Sequence, residues 1–145
     1  MNLQPEMFVD FDLPETCINK ASILRHFKEL SSILFQEETE DNRDPSSIRT
    51  KRYILQPMDL TDLDSLKSFI ESGIIDVKLI DLPCIHISLP TLFLSECVLV
   101  YIQPDDVNPS LQYLQKVFKN NMIVVYEQIR PDDPFGSMMM KNLHV

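Results

Sequence analysis

Four carboxylates and a phenol stand out by type and position in this 145-residue sequence. Asp10 and Asp12 close the alternating run MFVDFD at residues 7–12. Asp59 follows the short apolar run YILQ, residues 53–56. Glu96 and Tyr101 lie within LFLSECVLVY, residues 92–101. A carboxylate inside an apolar strand needs a reason, because burying an unpaired charge is costly. One reason is a strand that ends at a ligand crevice with the acid facing the ligand. Carboxylates only accept hydrogen bonds. Three strand ends with an acid apiece therefore suit a ligand rich in donors, such as ribose hydroxyls and an exocyclic amine.

The elements that would position these acids alternate along the chain. A strand over 7–12 is followed by Pro14, suited to a helix's first turn. Residues 15–35 carry apolar side chains at Ile18, Ala21, Ile23, Leu24, Phe27, Leu30 and Leu34. These intervals of mostly three and four predict one long helix. Residues 36–50 are polar and charged and predict a mobile loop. After the strand at 53–56, Thr61 can cap a helix with Asp62 and Asp64 in its first turn. Leu63, Leu66, Phe69 and Ile70 form its apolar stripe, and Gly73 stops it. Residues 74–90 are irregular. A strand over 92–101 comes next. A helix capped by Asn108 with Pro109 at its first position would bury Leu111, Leu114, Val117 and Phe118. A strand over 122–129 and a short helix from Asp133 and Pro134 complete the chain. This alternation predicts an α/β domain with a parallel, doubly wound sheet. Ligands of such sheets bind outside the carboxyl ends of the strands, where these acids fall.

Composition excludes several function classes. The formal net charge is -9, with Lys and Arg scattered apart from Arg49, Lys51 and Arg52. Nucleic-acid affinity needs basic clusters, so no nucleic-acid partner is expected. No apolar run approaches the roughly 20 residues of a membrane-spanning helix, and the first residues do not read as a signal peptide. Three cysteines, Cys17, Cys84 and Cys97, have no CxxC spacing, and His26, His86 and His144 belong to no ligand motif. No metal site is expected, and the cysteine usage fits a reducing cytoplasm. With only Gly73 and Gly136, no G-x-G phosphate loop can be built from these residues.

Three blocks of sequence resemble the leucine carboxyl methyltransferases. They are VDFDLP, residues 9–14, with Lys20 following; KRYILQPMDLTDL, residues 51–63; and PTLFLSECVLVYIQP, residues 90–104, continued by YEQIRPDDPFG, residues 126–136. The resemblance runs from about Phe8 to Leu143. It implies a partial Rossmann-like methyltransferase fold that uses S-adenosylmethionine. It also implies that the family's N-terminal glycine-rich cofactor loop, first strand and C-terminal strands are missing from these residues. The ribose would be held by Asp12, with Asp10 a second candidate. The adenine would be held by Asp59 and Leu60. Glu96 would lie near the methionine end of the cofactor, and Tyr101 on the substrate side. No catalytic residue is assigned.

The family has two branches. One methylates the C-terminal leucine carboxylate of the catalytic subunit of protein phosphatase 2A; the other acts in making the wybutosine base of tRNA. SECVLVY and the Asn142-Leu143 pair look more like the phosphatase branch, and YEQIRPDD has something of the other. The implied partner is the phosphatase tail, and the implied full-length enzyme is a monomer. A truncated, non-catalytic binding isoform is the alternative from a different class. In this fold the missing first strand lies between the second and fourth. The remaining strands must therefore pair anew or leave apolar surface and free edges exposed. Residues 84–90 read as an insertion, because deleting them restores IDLPTLFLSE.

Overall fold

The structure is a computed structural model that describes residues 5–35, 44–73 and 87–143. It is a mixed α/β chain, and its residues group into two compact units divided between His86 and Ile87. Among the described residues, three strands form one sheet and two form another.

The first unit opens with β1 (Phe8–Asp12) and α1 (Pro14–His26). Leu13 is extended at φ -64°, ψ 153°, and Pro14 starts the helix without a side-chain cap. The single helix expected over 15–35 breaks at Phe27, whose ψ of 111° is extended, and resumes as α2 (Lys28–Leu34). The buried face also differs. Cys17 and Ala21 are fully buried, while Ile18, Ile23 and Phe27 are exposed. Small side chains sit where the helix lies close on the sheet, and a count of large apolar residues passes over them.

Residues 48–49, expected to be loop, form the short strand β2 (Ile48–Arg49), which pairs antiparallel with β3 (Tyr53–Pro57). Thr50 makes the connection tight. Its amide donates to the Tyr53 carbonyl at 2.8 Å, and its Oγ1 accepts the Tyr53 amide at 3.1 Å. Ile48, the one large apolar side chain of that segment, is buried with Cys17, Ala21 and Leu55. Residues 36–43 lie outside the described residues. β1 and β3 run parallel, with Asp10 opposite Leu55 and Asp12 opposite Pro57. On the other face Phe11 meets Phe69 edge-to-face at 5.2 Å, from α3 (Leu63–Gly73). The pair is thus packed by α1 on one face and by Phe69 of α3 on the other. Asp62 caps α3 in place of Thr61, accepting the Ser65 amide at 3.0 Å and hydroxyl at 2.6 Å.

The expected irregular stretch 74–90 lies mostly outside the described residues. The second unit pairs β4 (Thr91–Glu96) in parallel with β5 (Asn121–Tyr126). The connecting helix α4 (Pro104–Val117) begins at Pro104, with Asp105 and Asp106 in its first turn. Its start therefore precedes the expected Asn108–Pro109 cap, and Pro109 lies inside the helix. A proline there removes one i→i−4 hydrogen bond. Phe93 packs edge-to-face on Phe118 at 5.2 Å, so one face of the pair is covered in part, with Ile123 and Val125 still exposed. The other presents Leu92, Leu94, Met122, Val124 and Tyr126 exposed.

α5 (Pro134–Leu143) starts at Asp133, whose Oδ1 accepts the Gly136 amide at 2.7 Å. A Cβ on Gly136 would lie 2.7 Å from two backbone carbons of Pro131 and closer still to the Arg130 carbonyl oxygen. In an open helix Gly→Ala stabilises by up to about 1 kcal/mol. Here overpacking reverses the sign. We expect Gly136→Ala to destabilise the chain by about 1–3 kcal/mol, read as a lower Tm in thermal denaturation. An unchanged or higher Tm would show that the α5 start is free to move.

Candidate functional site

The ladder of β1 and β3 runs one bond past the strands, because the Met58 amide donates to the Asp12 carbonyl at 2.9 Å. This bond fixes Asp12 beside the turn that carries Asp59 and Leu60. Neighbouring strands lie about 4.8 Å apart, so the two acids emerge at one sheet end. Asp12 Oδ1 accepts the Leu13 amide at 2.8 Å, and its Oδ2 has no partner among the described residues. Asp59 Oδ1 accepts both the amide and the hydroxyl of Thr61, at 2.9 and 2.8 Å, and its Oδ2 is likewise free. Each carboxylate is thus oriented through one oxygen and offers the other to a donor. Leu60 directly follows Asp59, is half-buried and gives the turn an apolar edge.

Asp10 has a different role. Its Oδ2 accepts Lys20 Nζ at 2.8 Å and the Tyr53 hydroxyl at 3.0 Å. A carboxylate held by an ammonium and a phenol has little capacity left for a ligand, and it lies two residues inside the strand. The Tyr53 phenol is pushed above its ordinary pKa, first by burial and then by the Asp10 charge. The buried Cys17 thiol is also pushed up, by burial first and by Asp12 next, which keeps it protonated and unreactive.

In the second unit the apolar run stops earlier than expected. Glu96 is the last residue of β4 and is exposed, so its charge is solvated and not inside the strand. Cys97 turns the chain with a φ of 51°. For a residue with a Cβ this left-handed conformation costs of order 1 kcal/mol or more. Tyr101, expected at the end of a strand, sits on a 3-10 turn (Leu99–Tyr101) and is exposed. Glu127, just past β5, holds that turn. Its Oε1 accepts the amides of Val98 and Leu99 at 3.1 and 2.9 Å. Gln128 Nε2 donates to Cys97 Sγ at 3.4 Å.

The structure therefore brings together Asp12, Asp59 and Leu60 in the first unit, and places Glu96 and Tyr101 at a strand end of the second. Sequence reasoning did not single out Glu127 and Gln128. The expected strand over 122–129 placed both inside it, whereas β5 ends at Tyr126 and leaves them just beyond. Among the described residues, no cluster of three His, Cys, Asp or Glu side chains could hold a metal.

The chain matches no protein-family model. It does match individual proteins along nearly its whole length. It is 31% identical over 139 residues to a leucine carboxyl methyltransferase 1 homolog of Arabidopsis thaliana, covering 96% of this chain and 39% of that protein. It is 29% identical over 143 residues to leucine carboxyl methyltransferase 1 of Rattus norvegicus, covering 97% and 40%. It is 26% identical over 133 residues to human tRNA wybutosine-synthesizing protein 4, covering 92% and 18%. The chain spans about two fifths of the length of the methyltransferases it matches.

The Tyr53 phenol supplies a pH test of the Asp10 network. Its folded pKa is raised above the ordinary 10.0, so above that pH the folded state holds a proton that the unfolded state has released. Stability is complete below pH 10 and falls as pH rises beyond it. In an ultraviolet titration we expect one tyrosine to ionise after the others and Tyr53→Phe to remove that late step. Four tyrosines titrating together near their ordinary value would contradict this.

Proposed function

We propose that this chain, related by sequence to the leucine carboxyl methyltransferases, carries the adenosine-binding part of a methyltransferase that uses S-adenosylmethionine. Within a longer polypeptide, its reaction would be methyl transfer to the C-terminal leucine carboxylate of the protein phosphatase 2A catalytic subunit. The observation that carries this reading is the pair of half-occupied carboxylates, Asp12 and Asp59, at one end of a parallel strand pair. Strand ends of this kind are where doubly wound sheets take ligands, and the first acid commonly meets ribose hydroxyls. Both parallel pairs are compatible with a partial Rossmann-like sheet.

The residues present fit the cofactor's chemistry. Asp12 would accept from the ribose hydroxyls. Asp59 would accept from the adenine amine, with Leu60 against the ring. When bound, the cofactor supplies a methyl group on a cationic sulfonium, which Glu96 suits by charge. Tyr101 would stand on the acceptor side. A leucine carboxylate is already ionised at neutral pH, so the chain has to align acceptor and methyl group and needs no general base.

A second reading, methyl transfer in wybutosine synthesis, is supported by the match to tRNA wybutosine-synthesizing protein 4. The charge of -9 speaks against a tRNA ligand. A third, a non-catalytic protein that binds the phosphatase or a full-length enzyme, is supported by the shortage of glycine for a cofactor loop. None of the described helices is long and apolar enough to cross a membrane. The phosphatase reading places the protein in the cytoplasm, acting as a monomer.

Transfer of tritiated methyl from S-adenosylmethionine to a peptide ending in a free leucine carboxylate tests the first reading. Base-labile label is expected in that peptide and not in its C-terminal amide, and Asp59→Ala should lower it about tenfold or more. No label would favour the non-catalytic reading, and equal label with Asp59→Ala would contradict the adenine role given to Asp59.

A further inference from the structure

The carboxyl end of the β4–β5 pair holds three buried polar atoms with no hydrogen-bond partner among the described residues: Ser95 Oγ, Glu127 Oε2 and Gln128 Oε1. Ser95 is paired in register with Val125, and Glu127 follows two residues later. Glu127 and Gln128 are both tied to the Cys97–Leu99 turn by their other polar atoms. The three atoms therefore belong to one strand end. Leaving a buried polar atom unsatisfied is costly, and more so when it carries charge. Here three occur together, beside a strained Cys97.

Their chemistry is one-sided. A carboxylate oxygen and an amide oxygen accept only, and a hydroxyl can do so. Water would satisfy the amide and hydroxyl oxygens but supply no charge to balance the carboxylate. Arg130, the nearest cation in sequence, makes no ion pair with Glu127. Glu127 and Gln128 are only partly buried as residues, so their free oxygens are screened by neighbours and not sealed in a core.

We propose that the carboxyl end of the β4–β5 pair is a binding site for an N–H-bearing cation, an ammonium or guanidinium group, held by Glu127 Oε2, Gln128 Oε1 and Ser95 Oγ. The group could come from a basic side chain of a polypeptide or from the ammonium of an amino-acid ligand. With a basic polypeptide side chain as the source the site is independent of the proposed methyl transfer; with an amino-acid ammonium it rests on that reading.

The test is nuclear magnetic resonance of the full chain at fixed ionic strength, following the Val98 and Leu99 amides and the Gln128 side-chain amide. Methylguanidinium and methylammonium should each give saturable shifts there. Tetramethylammonium, which has the charge but no N–H, should not. Glu127→Gln keeps an oxygen for the two backbone amides and should weaken binding about tenfold or more. Ser95→Ala removes a hydroxyl that has no partner, so it leaves the fold intact and should also weaken binding. Equal shifts with tetramethylammonium, no saturable shift, or undiminished binding in both variants would overturn the proposal. A matching response to S-adenosylhomocysteine would support it with an amino-acid ligand as the source. A response to methylguanidinium without one to S-adenosylhomocysteine would support it with a basic polypeptide side chain as the source.

Discussion

Parallel pairing of β1 with β3 is the constraint on which the first unit depends. Two parallel strands cannot be joined by a tight turn; the chain must return to the starting edge before it can run forward again. In this unit α1, α2 and β2 make that return. Both strands then finish at the same edge, and whatever residues follow them are neighbours despite lying some 45 positions apart in sequence. The Met58-to-Asp12 bond carries the ladder to the point where the acids begin. The core beneath it, Cys17, Ala21, Ile48 and Leu55, holds α1 and β2 on the sheet. Losing the register by one residue would turn Asp12 to the opposite face.

The second unit reaches its strand end by a different device. Cys97 leaves the strand through a left-handed turn, and Glu127 from the neighbouring strand end holds the amides that follow. Tyr101 is thereby carried on a turn tied to β5, and Glu96 is left in solvent at the end of β4. A carboxylate accepting two backbone amides is a strong local anchor, and it offsets the unfavourable φ at Cys97. The polar ends of the two sheets are thus built separately, each from a parallel pair and the bonds just beyond it.

Much of this was legible in the sequence. The approximate starts of β1, β3, β4 and β5, Asp12 at the end of β1, the stripe Leu66–Phe69–Ile70 and the start of α5 follow from local pattern. The failures have physical causes. Phe27 breaks a helix whose apolar spacing runs on unbroken, because only the backbone dihedral changes. β2 has a single apolar residue, Ile48, too few for alternation to show, and its stability comes from Thr50 and tertiary packing. Pro104 and Pro109 are both plausible first-turn prolines; the aspartates at 105 and 106 favour the earlier one through the helix dipole. The strand over 92–101 seemed long because the residues of a 3-10 turn are as apolar as those of a strand. Asp10 and Asp12 could not be told apart by type. What separates them is that Lys20 and Tyr53 take the first and leave the second half-free.

The account turns on an adenosine site at the end of β1 and β3. The most direct measurement is amide chemical-shift mapping of the full chain as S-adenosylhomocysteine is added. The account predicts saturable shifts at Leu13 and across Asp59 to Thr61, with little change on the buried face around Ala21. Binding that leaves those amides unmoved, or no binding at all, would contradict it.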